Sequence, residues 1–397
     1  MILVVVLMKG STVSLAYTAP MSLLSIVTSA LNYKGQISKH RKNEQIRIDV
    51  YNDHLYEMAE KCTDAVQKQM KALLSVHPST AECFNIVNGL ERRLWERNFT
   101  DADFMDIRVG IGSVDASFSI KVPGKTVKLE KDELQEKAYE LENKYSLLKD
   151  APISFNIRNN VSCGLIGDRM SRTKLAKNMI LQAVTHHSYD DLKIITLYGK
   201  EERDWEFTKW LPHSFDADRK ERFIGGNFFD AEKLLKEFEE TLKIRKNDGV
   251  NAYQNNAYEV RRPFYLFVIT EKAYLEDSNI LKYFSGREDL GVGVLYVFDE
   301  ISDLPKDCNV IIETKLDKGF MYRKSNVDVK KRFTVDRFAE TDYENFARSM
   351  APIRLSSGNH NSALPSSITF LEGYSVNRPE EFPIGVWWQN AKPYRTM

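Results

Sequence analysis

Leu266-Phe267-Val268-Ile269 is a run of large apolar side chains with no polar interruption. A strand with one wet face alternates apolar and polar residues, so a continuous run belongs to a strand covered on both faces. A sheet of such strands needs helices on each side, and that requirement restricts the chain to a few layered architectures. Similar runs alternate with amphipathic stretches from Ile153 to about Met350. Strands are predicted at 153–157, 163–166, 192–198, 264–269, 292–298 and 309–313, with helices near 171–186, 230–246 and 275–284. The fold class is therefore α/β, a mostly parallel sheet flanked by helices.

Ahead of this block the pattern changes. Residues 39–76 place Ile46, Val50, Leu55, Met58, Cys62, Val66, Met70 and Leu73 at helical spacing, and His77-Pro78 ends the stretch. A second helix is expected from Ser79 or Thr80 to about Arg97. Strands at 104–112 and 117–122 follow, then a helix over 130–149. A boundary is expected at Asp150-Ala151-Pro152. Earlier still, 13–33 carries no charged residue and is followed by Lys34, Lys39, His40, Arg41 and Lys42. A bilayer core of ~30 Å needs ~20 helical residues, and a basic flank marks the cytoplasmic side. With the shorter apolar run at Met1–Met8, the reading is a transmembrane hairpin whose first helix is cut short, preceding a helical stalk. A single N-terminal anchor and a buried core helix are the competing readings.

Composition excludes some functions. Lys+Arg and Asp+Glu both number 56, so the net charge of zero supplies no whole-protein field for nucleic acid. Cys62, Cys83, Cys163 and Cys308 show no C-x-x-C pair, and no metal site is expected. His186-His187 reads as a helix end where a positive ring complements the dipole. Trp205 and Trp210 are expected to be packed, and Lys330-Lys331-Arg332 to be a solvated basic face.

The first strand–loop–helix unit reads Gly167-Asp168-Arg169-Met170-Ser171-Arg172-Thr173-Lys174. This is where a phosphate-binding loop G-x-x-x-x-G-K-[ST] would sit, with backbone N–H groups and a lysine on the phosphates. Arg172 replaces the second glycine, Thr173 the lysine and Lys174 the Ser/Thr. On the strand that should end in a Mg²⁺-organising acid, Thr270 stands at the aspartate position and Glu271 follows. The reading is a degenerate nucleotide loop at Gly167, Arg172, Thr173 and Lys174, a degenerate acidic position at Thr270 and Glu271, and no catalytic residue. Lys174 leaves open the alternative of anion binding at the helix N-terminus.

Three separated segments carry a resemblance. Leu94-Trp95-Glu96-Arg97 with Asp103 to Gly112, then Trp210-Leu211-Pro212-His213, then Leu364 to Glu372 resemble, in order, segments of the type VII secretion ATPases of the FtsK/SpoIIIE class, the EssC, YukB and EccC proteins. The resemblance implies a membrane-proximal part of a larger protein. It comprises a transmembrane hairpin remnant over 1–35, a helical stalk with a small strand segment over 36–150, a degenerate ATPase-like α/β domain (P-loop NTPase-like) over 151–350 and a connector over 351–397 toward a motor domain. It implies no cofactor in this part, with ATP and Mg²⁺ belonging to the family's motor domains. Implied partners are the membrane, other type VII channel subunits, secreted small helical WXG-type proteins and further copies of the chain in a hexamer, with no nucleic acid. The implied location is the cell membrane, with the bulk of the chain cytoplasmic. The alternative function is an independent membrane-tethered protein that binds or hydrolyses nucleotide through an atypical phosphate loop.

Overall fold

The computed structural model describes residues 12–122, 133–199, 202–251, 261–276, 278–286, 288–355, 385–389 and 392–396. Two compact units divide the chain: Met1–Lys71 with Asp115–Leu148, and Ala72–Val114 with Lys149–Met397.

The first unit is built on α1 (Thr12–Val76), one helix of 65 residues. At about 1.5 Å per residue it is close to 100 Å long. Ile48, Leu55, Cys62 and Gln69 recur at seven-residue steps and are half-buried, as are Tyr51, Met58 and Ala65. That is a heptad-spaced stripe, the spacing that coiled-coil seams use. Its partner is α3 (Glu133–Tyr145), tied on by Thr63 Oγ1 to Tyr145 Oη at 2.8 Å and Lys137 Nζ to Asn52 Oδ1 at 3.0 Å. Ile46 and Val50, expected on the stripe, are exposed.

Residues 13–33, expected as the second helix of the hairpin, begin this same continuous helix, while the first apolar run and the expected turn lie outside the described residues. Among the described residues no helix is long and apolar enough to cross a membrane. Ser22, Ser25, Thr28, Ser29 and Asn32 are spread through the apolar stretch and hold its mean hydropathy down. The strand expected at 117–122 is absent too, because the Ser117 N–H donates to Gln69 Oε1 at 2.9 Å instead of to a ladder.

The second unit carries a ten-stranded sheet among the described residues, in the order β2-β1-β10-β9-β8-β3-β7-β6-β4-β5. Here β1 is Asp106–Asp115, β2 Leu147–Asn156, β3 Ser162–Gly167, β4 Leu192–Leu197 and β5 Ile224–Gly225. Further on, β6 is Phe264–Ile269, β7 Val292–Val297, β8 Val310–Lys315, β9 Lys318–Arg323 and β10 Asn326–Thr334. From β8 to β5 all neighbours are parallel. From β8 through β9 and β10 to β1 they are antiparallel. The expected boundary at Asp150-Ala151-Pro152 falls inside β2, and 147–149 is strand where helix was expected.

The apolar runs divide between two cores. Leu266, Val268, Leu295 and Val297 pack toward α4 (Arg169–His186), whereas Phe267, Ile269, Val294 and Tyr296 pack toward α5 (Phe228–Asn251). Alternation across a strand thus feeds one core on each face. The outer side of α4 is covered as well, by α2 (Thr80–Asn88) and α6 (Glu340–Met350). Polar residues of α4 are consequently buried with partners: Lys177 pairs with Glu340 at 2.7 Å and Gln182 donates to the Pro78 carbonyl at 2.8 Å. The expected helix over 80–97 ends early, since Gly89 caps α2 and Leu90 and Trp95 take left-handed backbone at φ 45° and 58°. The helix expected over 275–284 is two short 3₁₀ turns, Lys272–Leu275 and Asn279–Tyr283, the second capped by the Ser278 hydroxyl. A two-stranded pair, β11 (Gly385–Gln389) and β12 (Lys392–Thr396), holds Trp387 and Trp388. The segment Leu364 to Glu372 lies outside the described residues.

Candidate nucleotide site

The strand–loop–helix unit forms at the expected place, but its loop is one residue long. β3 ends at Gly167, Asp168 is the cap and α4 starts at Arg169. Ser171, Arg172, Thr173 and Lys174 therefore lie within the helix.

Gly167 has φ +116°, and a Cβ there would lie 1.9 Å from the Thr314 carbonyl oxygen of β8. The glycine is needed because two strands approach closely, which is a requirement of the sheet itself. Two N–H groups of the first turn are held by Asp168. Ser171 N–H donates to Asp168 Oδ1 at 3.0 Å, and Arg172 N–H donates to the Asp168 carbonyl at 3.1 Å. The other carboxylate oxygen, Oδ2, accepts from the Leu316 N–H at 3.0 Å. Burial alone would raise the Asp168 carboxyl, but the hydrogen bonds from Ser171 and Leu316, with Arg172 nearby, hold it below its ordinary value. A helix N-terminus attracts an anion, and here the chain supplies its own.

The cations are committed in the same way. Arg172 donates to the Gly167 carbonyl at 2.7 Å and pairs with Asp299 beyond the end of β7. Lys174 Nζ lies 3.2 Å from Asp317 Oδ1, in the β8–β9 turn. Thr173 is buried in the helix body. At the end of β6, Thr270 Oγ1 donates to Glu202, and its N–H donates to the Leu197 carbonyl at 2.9 Å. Glu271 Oε1 accepts from the Ala273 N–H at 3.3 Å, capping a 3₁₀ turn. The structure thus brings Gly167, Arg172, Thr173 and Lys174 to one strand–helix junction, where Arg172 and Lys174 serve as ion-pair partners. Thr270 and Glu271 stand at the end of β6, two strands away in the sheet order. Asp168, Asp299, Asp317 and Glu202 were not anticipated. An aspartate directly before a helix and three residues ahead of Ser171 is a cap signal that would have found the first.

At its other end α4 is stitched into the protein. The Trp95 indole N–H donates to Val184 O at 3.0 Å, the Trp95 amide to Thr185 O at 2.8 Å and the Arg97 amide to His186 O at 3.0 Å. His213 Nε2 donates to His187 O at 2.9 Å. His187 Nδ1 donates to Ala183 O at 2.8 Å, so its Nε2 is the acceptor for the Met105 N–H at 3.0 Å. The terminal carbonyls of a helix lack internal partners, and here segments far away in sequence supply the donors. The Trp95–Arg97 segment, the turn at Met105 that leads into β1 and the Trp210–His213 segment, all noted above for resemblance, meet at this one point.

The histidines here are not positive, contrary to expectation. Burial pushes His187 and His213 down to about 3, and pushes His186 well below its ordinary value. A charged ring would have to be desolvated, which outweighs the helix dipole. Trp205 is packed as expected, while Trp210 is half-buried with the Arg348 guanidinium 4.2 Å over its ring. Among the described residues no group of three or more His, Cys, Asp or Glu side chains could hold a metal ion.

No family model matches the chain. It is 27% identical to the type VII secretion system protein EssC of Staphylococcus aureus strain MSSA476 over 380 residues, covering 95% of this chain and 26% of that protein. It is 24% identical to the ESX secretion system protein EccC of Geobacillus thermodenitrificans strain NG80-2 over 402 residues, covering 99% of this chain and 26% of that one. The cytoplasmic domain of the Thermomonospora curvata type VII secretion ATPase EccC superposes with a TM-score of 0.45 at 13% identity, over 72% of this chain and 34% of that one. The chain thus spans 26% of the length of the curated relatives it matches. By sequence it is a homologue of the EssC and EccC proteins of type VII secretion systems.

Proposed function

We propose that this chain acts as a non-hydrolysing structural segment of a type VII protein secretion ATPase. It would link ATP-driven motor domains to the membrane channel through which small helical proteins of the WXG type are exported. One observation carries the non-hydrolysing part. The position of a phosphate at the α4 N-terminus is taken by the Asp168 carboxylate, and Arg172 and Lys174 are paired with Asp299 and Asp317. A phosphate arriving there would meet a like charge and would have to displace two ion pairs. With the nucleotide site closed, the unit works by transmitting force and by docking. In this reading ATP and Mg²⁺ are bound by motor domains elsewhere in the machine. The α/β unit faces the cytoplasm beside other channel subunits and further copies of itself.

The test is titration of the chain with a fluorescent ATP analogue and Mg²⁺, followed by calorimetry with ATP. The expected result is no saturable binding at micromolar nucleotide and no phosphate release. Micromolar binding that is lost in Lys174→Ala would overturn the reading in favour of the atypical-loop nucleotide protein.

A further inference from the structure

The sheet curls on its antiparallel side. Three strands separate β2 from β8 in the hydrogen-bonded order, yet Phe155 of β2 and Val310 of β8 line one cavity of about 340 Å³. Met321 of β9, on the same sheet face, completes a buried apolar floor with them. This size falls within the usual range for ligand clefts.

The rim has a different chemistry. Arg323 and Lys331 stand on it, and no carboxylate lines the cavity. Neither cation forms an ion pair among the described residues, and the Arg323 guanidinium only reaches Asn160 Oδ1 at 3.4 Å. The nearest acid in sequence, Asp328, is not part of the lining. Beside the cleft, β10 offers unused backbone. β1 pairs with β10 through Ile111↔Thr334 and Gly112↔Phe333, at one end of β10 only. Pairing with β9 skips from Asn326↔Arg323 to Lys331↔Met321, so the intervening residues stand off the ladder. Val327 and Val329, in that stretch, are 49% and 60% exposed.

An apolar floor, a cationic rim without acids and an open strand edge are three separate requirements, and one kind of ligand meets them all. The geometry points to a binding cleft, between β2 and the β9–β10 ribbon, for an extended acidic peptide segment. The segment adds along β10 through main-chain hydrogen bonds, seats an apolar side chain on the floor and places carboxylates at Arg323 and Lys331. A nucleic acid would answer the cations but would leave the apolar floor and the backbone edge unused. The inference goes beyond the proposed secretion role and does not depend on it.

The test uses the full chain and a fluorescein-labelled peptide of alternating valine and glutamate, read by fluorescence anisotropy. Binding is expected to saturate, and Lys331→Glu and Arg323→Glu are each expected to weaken it by about tenfold. Both side chains are exposed, so the variants should keep the parent melting temperature. The valine–lysine counterpart should not bind, and methylating alternate backbone nitrogens of the acidic peptide should abolish binding. Absence of saturation, indifference to the Arg323→Glu/Lys331→Glu double variant, or equal binding of the N-methylated peptide would overturn the proposal. So would full displacement by equimolar inorganic phosphate, which would leave a simple anion pocket.

Discussion

The two ends of α4 solve the same problem by opposite means. A helix leaves unpaired N–H groups at one end and unpaired carbonyls at the other. At the N-terminal end the Ser171 donor is met locally, by the cap residue Asp168, and the surroundings are ion pairs open to solvent. At the C-terminal end the acceptors are met by Trp95, Arg97 and His213, which come from distant segments and are neutral apart from Arg97. The first end resembles a reaction site that has been filled in. The second is a joint, where two of the three segments that resemble the secretion ATPases come together.

Substitutions sharpen this contrast. The largest effect is expected at the joint, for Arg97→Ala. Arg97 is 3% exposed, pairs with Asp103 at 3.1 Å and donates to the carbonyls of Asp106 and Val76. Its removal takes the charged donor from both carbonyls and from Asp103 and should cost about 3–5 kcal/mol in a urea titration. A loss below about 1 kcal/mol would mean that the joint is not where stability resides. At the other end Gly167→Ala should cost about 2–3 kcal/mol, through strain against β8 and a positive φ. The loss should be the same with and without nucleotide, and protection by ATP would break the comparison.

Acid should act at the joint first. His187 and His213 have folded-state values of about 3, below the unfolded value near 6.5. The unfolded chain thus binds more protons between those values. The stabilisation from neutral histidines is complete above about pH 6.5 and is lost as pH falls toward 3, by up to about 1.4 kcal/mol per pH unit for each ring. His213→Gln should flatten that slope in stability measured from pH 7 to 4, and an unchanged slope would place the acid sensitivity elsewhere. The smallest effect is expected for Asp168→Ala, a cap loss of about 1 kcal/mol visible as a small shift in thermal midpoint. A gain of phosphate binding in the same variant would show that the resident carboxylate is what excludes an anion.

How legible these features are in the sequence follows from the physics. Strands covered on both faces declare themselves as apolar runs, and β4, β6 and β7 lie within a residue of the expected bounds. β9 and β10 escaped notice because their lining is mixed: Lys-Gly-Phe-Met-Tyr-Arg and a run ending in Lys330-Lys331-Arg332 read as solvated loop. The outer layer over α4 escaped for a related reason. Lys177, Asn178 and Gln182 look like a wet face, and only tertiary structure shows them buried with partners. At the candidate site the mismatch to a phosphate-loop pattern is visible at Arg172, Thr173 and Lys174. The replacement anion is not, since Asp168 lies ahead of the helix start expected at Ser171. Asp299 and Asp317 come from the far ends of other strands.

The one-residue turn between Gly167 and Arg169 has a consequence for any attempt to redesign the unit. Exchanging Arg172, Thr173 and Lys174 for the letters of a phosphate loop would change spelling but not chain length. A cradle needs several residues between strand and helix, and here the helix has already begun where the cradle would be. Building one therefore takes an insertion, which β8 and Asp299 must make room for at once.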